Sequence, residues 1–292
     1  MDTVLSLCSG IGGLDLGLHA GLRMVGGVPR TVCYVEREAF SCACLAKAIE
    51  EGRLDDAPIW CGDLQLMPLD LLPRIDYITG GYPCQPFSAA GKRQGKQDSR
   101  HLWPWVFQCV EALRPRGVFF ENVAGHISLG LFDVLSDLEG CGYRTSWGCY
   151  SASSVGAPHR RERVFILGLA DAGLHDATPR GECAASTEGR RAGHGEGRSG
   201  CNAGPGHREA SGQVSGMADA RSGHGSTWHR FPSPPGVEQA NEEPARTIEP
   251  GLGGTADGIP SRVDRLRALG NAVVPQQAEM AFLDLWRQLT DE

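Results

Sequence analysis

The sequence has no apolar run near the roughly 20 residues that span a bilayer, so a helical membrane span is not expected. It has no basic N-terminal region. "MDTVLSLCSGIGG" reads as a strand entering a glycine turn rather than as a secretion signal, and the chain is expected in the cytoplasm. Its 11 cysteines are odd in number, scattered and without a CxxC pair, which argues against a disulfide framework and for thiols held reduced. There is no basic surplus either. At a formal net charge of -7, any polyanion has to be met by a local basic patch. The GK[ST] element of a phosphate loop is missing, and "SGIGGLDLGL" puts Asp15 where a dinucleotide fingerprint has its third glycine.

What is there begins with alternation. "TVLSLC" (3–8), "TVCYVE" (31–36), "DYITGG" (76–81), "GVFFENV" (117–123) and "RVFILGL" (163–169) read as strands separated by helical patterns, which is the signature of βα units and a mostly parallel sheet. "HLWPWVFQCVEALRP" sets Leu102, Trp105, Val106, Cys109, Val110 and Leu113 at helical spacing, with Pro104 tolerated in the first turn and Pro115 as a stop. Near the other end, Ala278, Ala281, Phe282, Leu285 and Leu289 share one helical face, so this helix docks on the body of the protein. Residues 181–226 are about one-quarter glycine with almost no large apolar residues, a composition that cannot offset its ordering entropy by burial.

Chemistry-bearing residues fall at strand ends. The glycines at 10, 12 and 13 either make a simple tight turn or let a ligand approach the backbone at the carboxyl edge of the sheet. Glu36 ends the second strand, where an acid can accept ribose hydroxyls, and Asp63 follows "APIWCGD", in position for an adenine amino group. Together the three favour a nucleoside-type cofactor. Cys84 stands between Pro83 and Pro86 directly after a strand, a setting that holds a sulfur in one place for attack. Glu121 ends the strand "GVFFENV", and "HRRER" supplies Arg161 and Arg163. A thiolate, a carboxyl group and a guanidinium in one cleft suit attack on an electron-poor ring carbon.

In this order, "CSGIGG", "YVERE", "GDL", "GGYPCQPFS", "ENV", "HRRER" and "LGNAVVP" make the chain resemble the DNA (cytosine-5)-methyltransferases, from its start to about residue 168 and again from about 258. The resemblance implies an α/β doubly wound domain over 1–168, a short target-recognition region over 169–258, and a C-terminal segment, 259–292, that completes the catalytic domain. It implies S-adenosyl-L-methionine held by Ser9, Gly10, Ile11, Gly12, Gly13, Glu36, Arg37, Asp63, Leu64, Gly81, Pro83, Asn271 and Ala272. Cys84 would add to C6 of a cytosine flipped out of duplex DNA, Glu121 would protonate N3, and Arg163, helped by Arg161, would hold O2. Ser88, Lys92, Arg93, Lys96 and Arg100 would meet DNA. A monomer suffices for this chemistry, and a cognate restriction endonuclease is an expected partner. An RNA (tRNA) cytosine-5 methyltransferase and a catalytically weak DNA-binding relative are the alternative readings.

The chain departs from the family at Cys8, where an aromatic residue packs on adenine, and at His159, where the family has glutamine. No metal is expected. Cys183, His194, Cys201 and His207 match no compact finger spacing, and the arginines among them are interleaved with acids, as in a solvated linker.

Overall fold

The computed structural model describes residues 1–83, 102–171 and 261–290. The expectations for Cys84, Ser88, Lys92, Arg93, Lys96 and Arg100, and for nearly all of 169–258, therefore lie outside the described residues.

Strand β1 (Asp2–Leu7) leads through the glycine turn into helix α1 (Gly13–Met24), and β2 (Pro29–Glu36) into α2 (Ala39–Glu50). There follow β3 (Ile59–Cys61), β4 (Tyr77–Gly80), α3 (Trp103–Leu113), β5 (Gly117–Val123), the single turn α4 (His126–Leu129), and α5 (Leu131–Gly140). An antiparallel pair, β6 (Tyr143–Ser151) and β7 (Glu162–Ala170), precedes α6 (Arg262–Asn271) and α7 (Pro275–Thr290). The strand order is β3-β2-β1-β4-β5-β7-β6, with β3 through β5 parallel and β7 antiparallel to both its neighbours. The chain is thus the doubly wound, mostly parallel α/β sheet that the alternation implies.

Period-two burial divides the core. On β5, Val118 and Phe120 join the layer built with α3 and α5, whereas Phe119 faces the layer built with α1 and α7. All of β5 but Val123 is buried, as expected of a central strand covered on both faces. The edge strand β6 escapes the run-of-apolar criterion because seven of its nine residues are partly or fully open to solvent: "YRTSWGCYS" alternates too loosely to stand out. In α3, Trp103 rather than Trp105 takes the buried place, because its indole N–H donates to Asp137 Oδ2 at 2.7 Å; Trp105 is 36% exposed.

Helix α7 buries all five expected residues, and it packs mainly on α1, β6 and β7. The fit depends on glycine. A Cβ at Gly17 would lie 2.4 Å from the Ala278 Cβ, and one at Gly21 would lie 2.4 Å from the Phe282 ring. A Cβ at Gly13 would come within 2.3 Å of the Val273 carbonyl oxygen. These glycines, four residues apart on one face of α1, let the two backbones approach. Gln277, fully buried, ties α7 to β6 and to the start of β7 by donating to the carbonyls of Tyr150 (2.8 Å) and Arg161 (2.9 Å).

Candidate active site

The parallel strands deliver their carboxyl ends to one edge, and there the chain order reverses between β1 and β4, the position where open α/β sheets hold ligands. A cavity of about 440 Å³ opens at that edge, a volume within the range of cofactor sites. Twelve of the thirteen residues marked from the sequence for the cofactor line it. Ser9, Gly10, Ile11 and Gly13 come from the β1–α1 turn, Glu36 and Arg37 from the end of β2, and Asp63 and Leu64 from beyond β3. Gly81 and Pro83 follow β4, and Asn271 and Ala272 reach in from the C-terminal segment. Gly12 is the exception. Its φ of 85° makes the turn, and a Cβ there would stand 2.7 Å from Leu54 Cδ1, so it packs on that side chain and is not part of the cavity lining. Gly10 has φ 57° with open space where a Cβ would stand, so a ligand can approach this backbone closely.

Glu36 organises the turn it faces. One carboxylate oxygen accepts from Gly10 N at 2.8 Å, and the other from Arg37 N at 2.7 Å and Glu38 N at 2.8 Å. Of about four lone-pair positions on a carboxylate, these three bonds leave one open to a further donor. Asp63 caps a short 3-10 turn by accepting from Gln65 N at 3.0 Å. Cys8, in a left-handed conformation with φ 50°, lines the cavity, and burial pushes its thiol up to about 12, so it presents a neutral, apolar surface. The aromatic ring in the described lining is that of Tyr82, not of residue 8.

Glu121 and Arg163 also line the cavity. Antiparallel pairing sets Val123 opposite Arg163, which brings the start of β7 to the end of β5. Arg163 Nε lies 2.9 Å from Glu121 Oε1, with the two side chains 17% and 9% exposed. Burial raises the Glu121 carboxyl to about 7, the nearby Arg163 and Arg161 charges holding it from going further. A buried acid poised near neutrality can both hold and release a proton. Gly81 makes room for it, since a Cβ there would stand 3.3 Å from Glu121 Oε2.

Arg161 lies elsewhere than expected. In a left-handed conformation (φ 36°), it sends its guanidinium to the carbonyls of Gly270, at 2.7 Å, and Ala272, and it is not part of the described cavity lining. It holds the turn that carries Asn271 over the cavity.

The chain entering Cys84 is held by residues the sequence did not single out. The Tyr82 ring packs against Trp103 (5.3 Å between centroids) and Phe120 (5.9 Å), and its hydroxyl shares a hydrogen bond with His126 Nε2 at 3.1 Å. Asn122 Nδ2 donates to the Tyr82 carbonyl at 3.1 Å, while its Oδ1 accepts from Val123 N. Asn122 sits inside "ENV", so the motif itself held the clue. Asp15, Ser6 and Thr79 also line the cavity, and Arg267 of α6 pairs across to Glu38 at 3.0 Å. Among the described residues, no group of side chains is arranged to hold a metal ion, and no helix is long and apolar enough to cross a membrane.

A doubly wound sheet with a glycine turn after β1, an acid after β2 and a cavity at the strand-order reversal defines a nucleoside-cofactor class of α/β protein. The chain belongs to the C-5 cytosine-specific DNA methylase family, whose model matches residues 3–182. It is similar to the type II methyltransferase M.NgoFVII of Neisseria gonorrhoeae, with 34% identity over 174 residues covering 57% of this chain and 43% of the relative. It is also similar to the type II methyltransferase M.NaeI of Lentzea aerocolonigenes, with 32% identity over 176 residues covering 57% and 39%. The chain thus spans less than half the length of these curated relatives. Among solved structures, a DNMT2 of Spodoptera frugiperda aligns with a TM-score of 0.49 and 20% identity over 62% of this chain and 54% of that one.

Proposed function

We propose that the protein transfers a methyl group from S-adenosyl-L-methionine to C5 of cytosine in duplex DNA. The observation that carries this reading is the buried Glu121–Arg163 pair on the wall of the same cavity as the glycine turn, Glu36 and Asp63, in a chain of this family. The cavity fits the cofactor in size and in donor set. It offers a close backbone at Gly10, one free acceptor position on Glu36 for a ribose hydroxyl, and the Asp63 carboxylate for the adenine amino group. When bound, S-adenosylmethionine supplies an electrophilic methyl group.

The protein's own groups prepare the acceptor. The Cys84 thiolate adds to C6 of the flipped base, and Glu121, protonated near neutral pH, gives its proton to N3, so that electron density gathers at C5. Arg163 keeps the carboxyl group in place and offers its remaining N–H donors to O2. Arg161 serves as a positioning residue, since it holds the Gly270–Ala272 turn. After methylation the C5 proton is lost and Cys84 departs, which restores the ring. Ser88, Lys92, Arg93, Lys96 and Arg100 would contact DNA, a single copy of the chain suffices, and the type II designation of the relatives supports a cognate restriction endonuclease as partner.

The test is incubation with methyl-labelled S-adenosylmethionine and mixed-sequence duplex DNA, followed by digestion to nucleosides and mass spectrometry. Labelled 5-methylcytosine from the wild type and none from Cys84→Ala is the expected result. Label on DNA from Cys84→Ala overturns the covalent step; label on transfer RNA alone overturns the substrate.

A further inference from the structure

One buried carboxyl group on the cavity wall takes no part in the chemistry above. Asp15, in the first turn of α1, is 1% exposed and lines the cavity below the glycine turn, between β1 and β4. The Ser6 hydroxyl, from β1, donates to Oδ2 at 2.9 Å, and the Thr79 hydroxyl, from β4, donates to Oδ1 at 3.0 Å. Ser6 in turn bonds Ser9 Oγ at 2.8 Å, so the carboxyl group is wired to the turn itself. Among the described residues no cation pairs with it. Among the described residues, the titratable groups whose charge bears on it are Tyr34 on β2 and Asp55 in the connection between α2 and β3, and neither brings positive charge; the only positive influence is the partial one of the first turn of α1.

A carboxylate taken out of water without a counter-ion is costly, and such a group keeps its proton until a cation arrives. Burial raises the Asp15 carboxyl to about 6, against the pull of the Ser6 and Thr79 hydroxyls and its own backbone N–H, with Asp55 adding a smaller push upward. Two neutral donors without a cation hold the group in place without neutralising it. The methyl donor brings what the wall lacks, because S-adenosylmethionine carries a sulfonium and an ammonium that a bare nucleoside does not.

We propose that Asp15 is the residue by which this cavity recognises the positive charge of the methyl donor, holding a proton while no ligand is bound and releasing it to solvent as the charged end enters. This inference rests on S-adenosylmethionine being the cofactor.

The test is titration calorimetry in pairs of buffers of different ionisation enthalpy, with S-adenosylmethionine and with 5′-methylthioadenosine, which lacks both charges. The wild type should release more than half a proton per S-adenosylmethionine at pH 5.5 and none with 5′-methylthioadenosine. Affinity for the charged ligand should tighten roughly tenfold between pH 5 and pH 7. Asp15→Asn should keep its affinity for 5′-methylthioadenosine and bind S-adenosylmethionine more weakly and without pH dependence. Thr79→Val, which removes one donor to the carboxylate, should move the midpoint to higher pH. Glu121→Gln should retain the pH 5–7 dependence. Tight binding of S-adenosylmethionine with no proton release, or an unchanged pH profile in Asp15→Asn, overturns the role of Asp15 alone. No binding of S-adenosylmethionine at any pH overturns the cofactor assignment and this inference with it.

Discussion

Replacing Gly17 by alanine tests the packing on which the cavity depends. In an open helix the change should stabilise by about 1 kcal/mol through helix propensity. Here the new Cβ would stand 2.4 Å from the Ala278 Cβ, 2.7 Å from the Pro275 carbonyl oxygen and 3.1 Å from Glu279 N. Carbon atoms pack at about 3.5–4.0 Å, so α1 and α7 must part by roughly 1 Å. Two of the three obstructing atoms are backbone and cannot rotate away. Overpacking of this kind costs about 1–3 kcal/mol, beyond which the loosened α7 loses contacts of Ala281, Phe282 and Leu285, all fully buried. A net loss of about 1–3 kcal/mol lowers the melting temperature by about 2–5 °C in a protein of 292 residues. Circular dichroism melts provide the measurement. Gly140→Ala, at the end of α5 with nothing within 4 Å of the new Cβ, is the control and should leave the melt unchanged or slightly raised. Gly17→Ala combined with Ala278→Gly should recover part of the loss, as a positive coupling in a double-mutant cycle. A Gly17→Ala protein that melts at or above the wild type, or a pair of changes that merely add, would refute the close-packed seam.

Two further outcomes follow from the site. Glu121 has a folded-state value, about 7, above its ordinary one, so its contribution to stability is full below about pH 4.5 and is lost as pH rises through 7. Glu121→Gln should therefore gain on the wild type by up to about 3 kcal/mol between pH 5 and pH 8 in denaturant melts, and methyl transfer by the variant should fall about 10²–10⁴-fold; equal pH slopes for the two proteins would contradict the raised value. Asn122→Ala removes a buried hydrogen bond to the Tyr82 carbonyl, which should lower stability by about 1–3 kcal/mol and reduce kcat while leaving cofactor Kd within twofold. A Kd that shifts as much as kcat would mean that Asn122 shapes the cofactor end of the cavity instead.

Most of the sheet was legible because its central strands are buried and read as short apolar runs, whereas β3, three residues long and only partly buried, was not among the strands read. β6 was not either, because an edge strand partly in water has no such run. Most of the cavity wall was legible for a related reason: in an open α/β sheet cavities form at strand ends, so a glycine turn and acids just after strands mark one. The wall's remaining members are set by tertiary contacts without local trace. Asp15 looks like a surface helix residue until Ser6 and Thr79, 9 and 64 positions away, close on it. Arg161 sits two residues from Arg163 on one strand approach, yet its left-handed backbone sends it to a different partner. The spacing of Gly13, Gly17 and Gly21 was visible, but it acquires meaning only once α7 is known to lie against that face.

The pairing of α1 with α7 also imposes an order in time. The turn that roofs the cavity lies at 270–273, and its anchor helix runs to Thr290, whereas the glycine turn it covers is synthesised about 260 residues earlier. At about 5–20 residues per second, the nascent chain spends on the order of ten seconds or more with β1, α1 and β2 made and the apolar face of α1 uncovered. During that interval Leu18 and Leu22 are without the helix that will cover them, and the cavity lacks a wall. Ligand binding can therefore stabilise the finished protein but cannot guide the early stages of its folding, and a chain cut short before 270 carries the family's opening motifs without a closed site to use them.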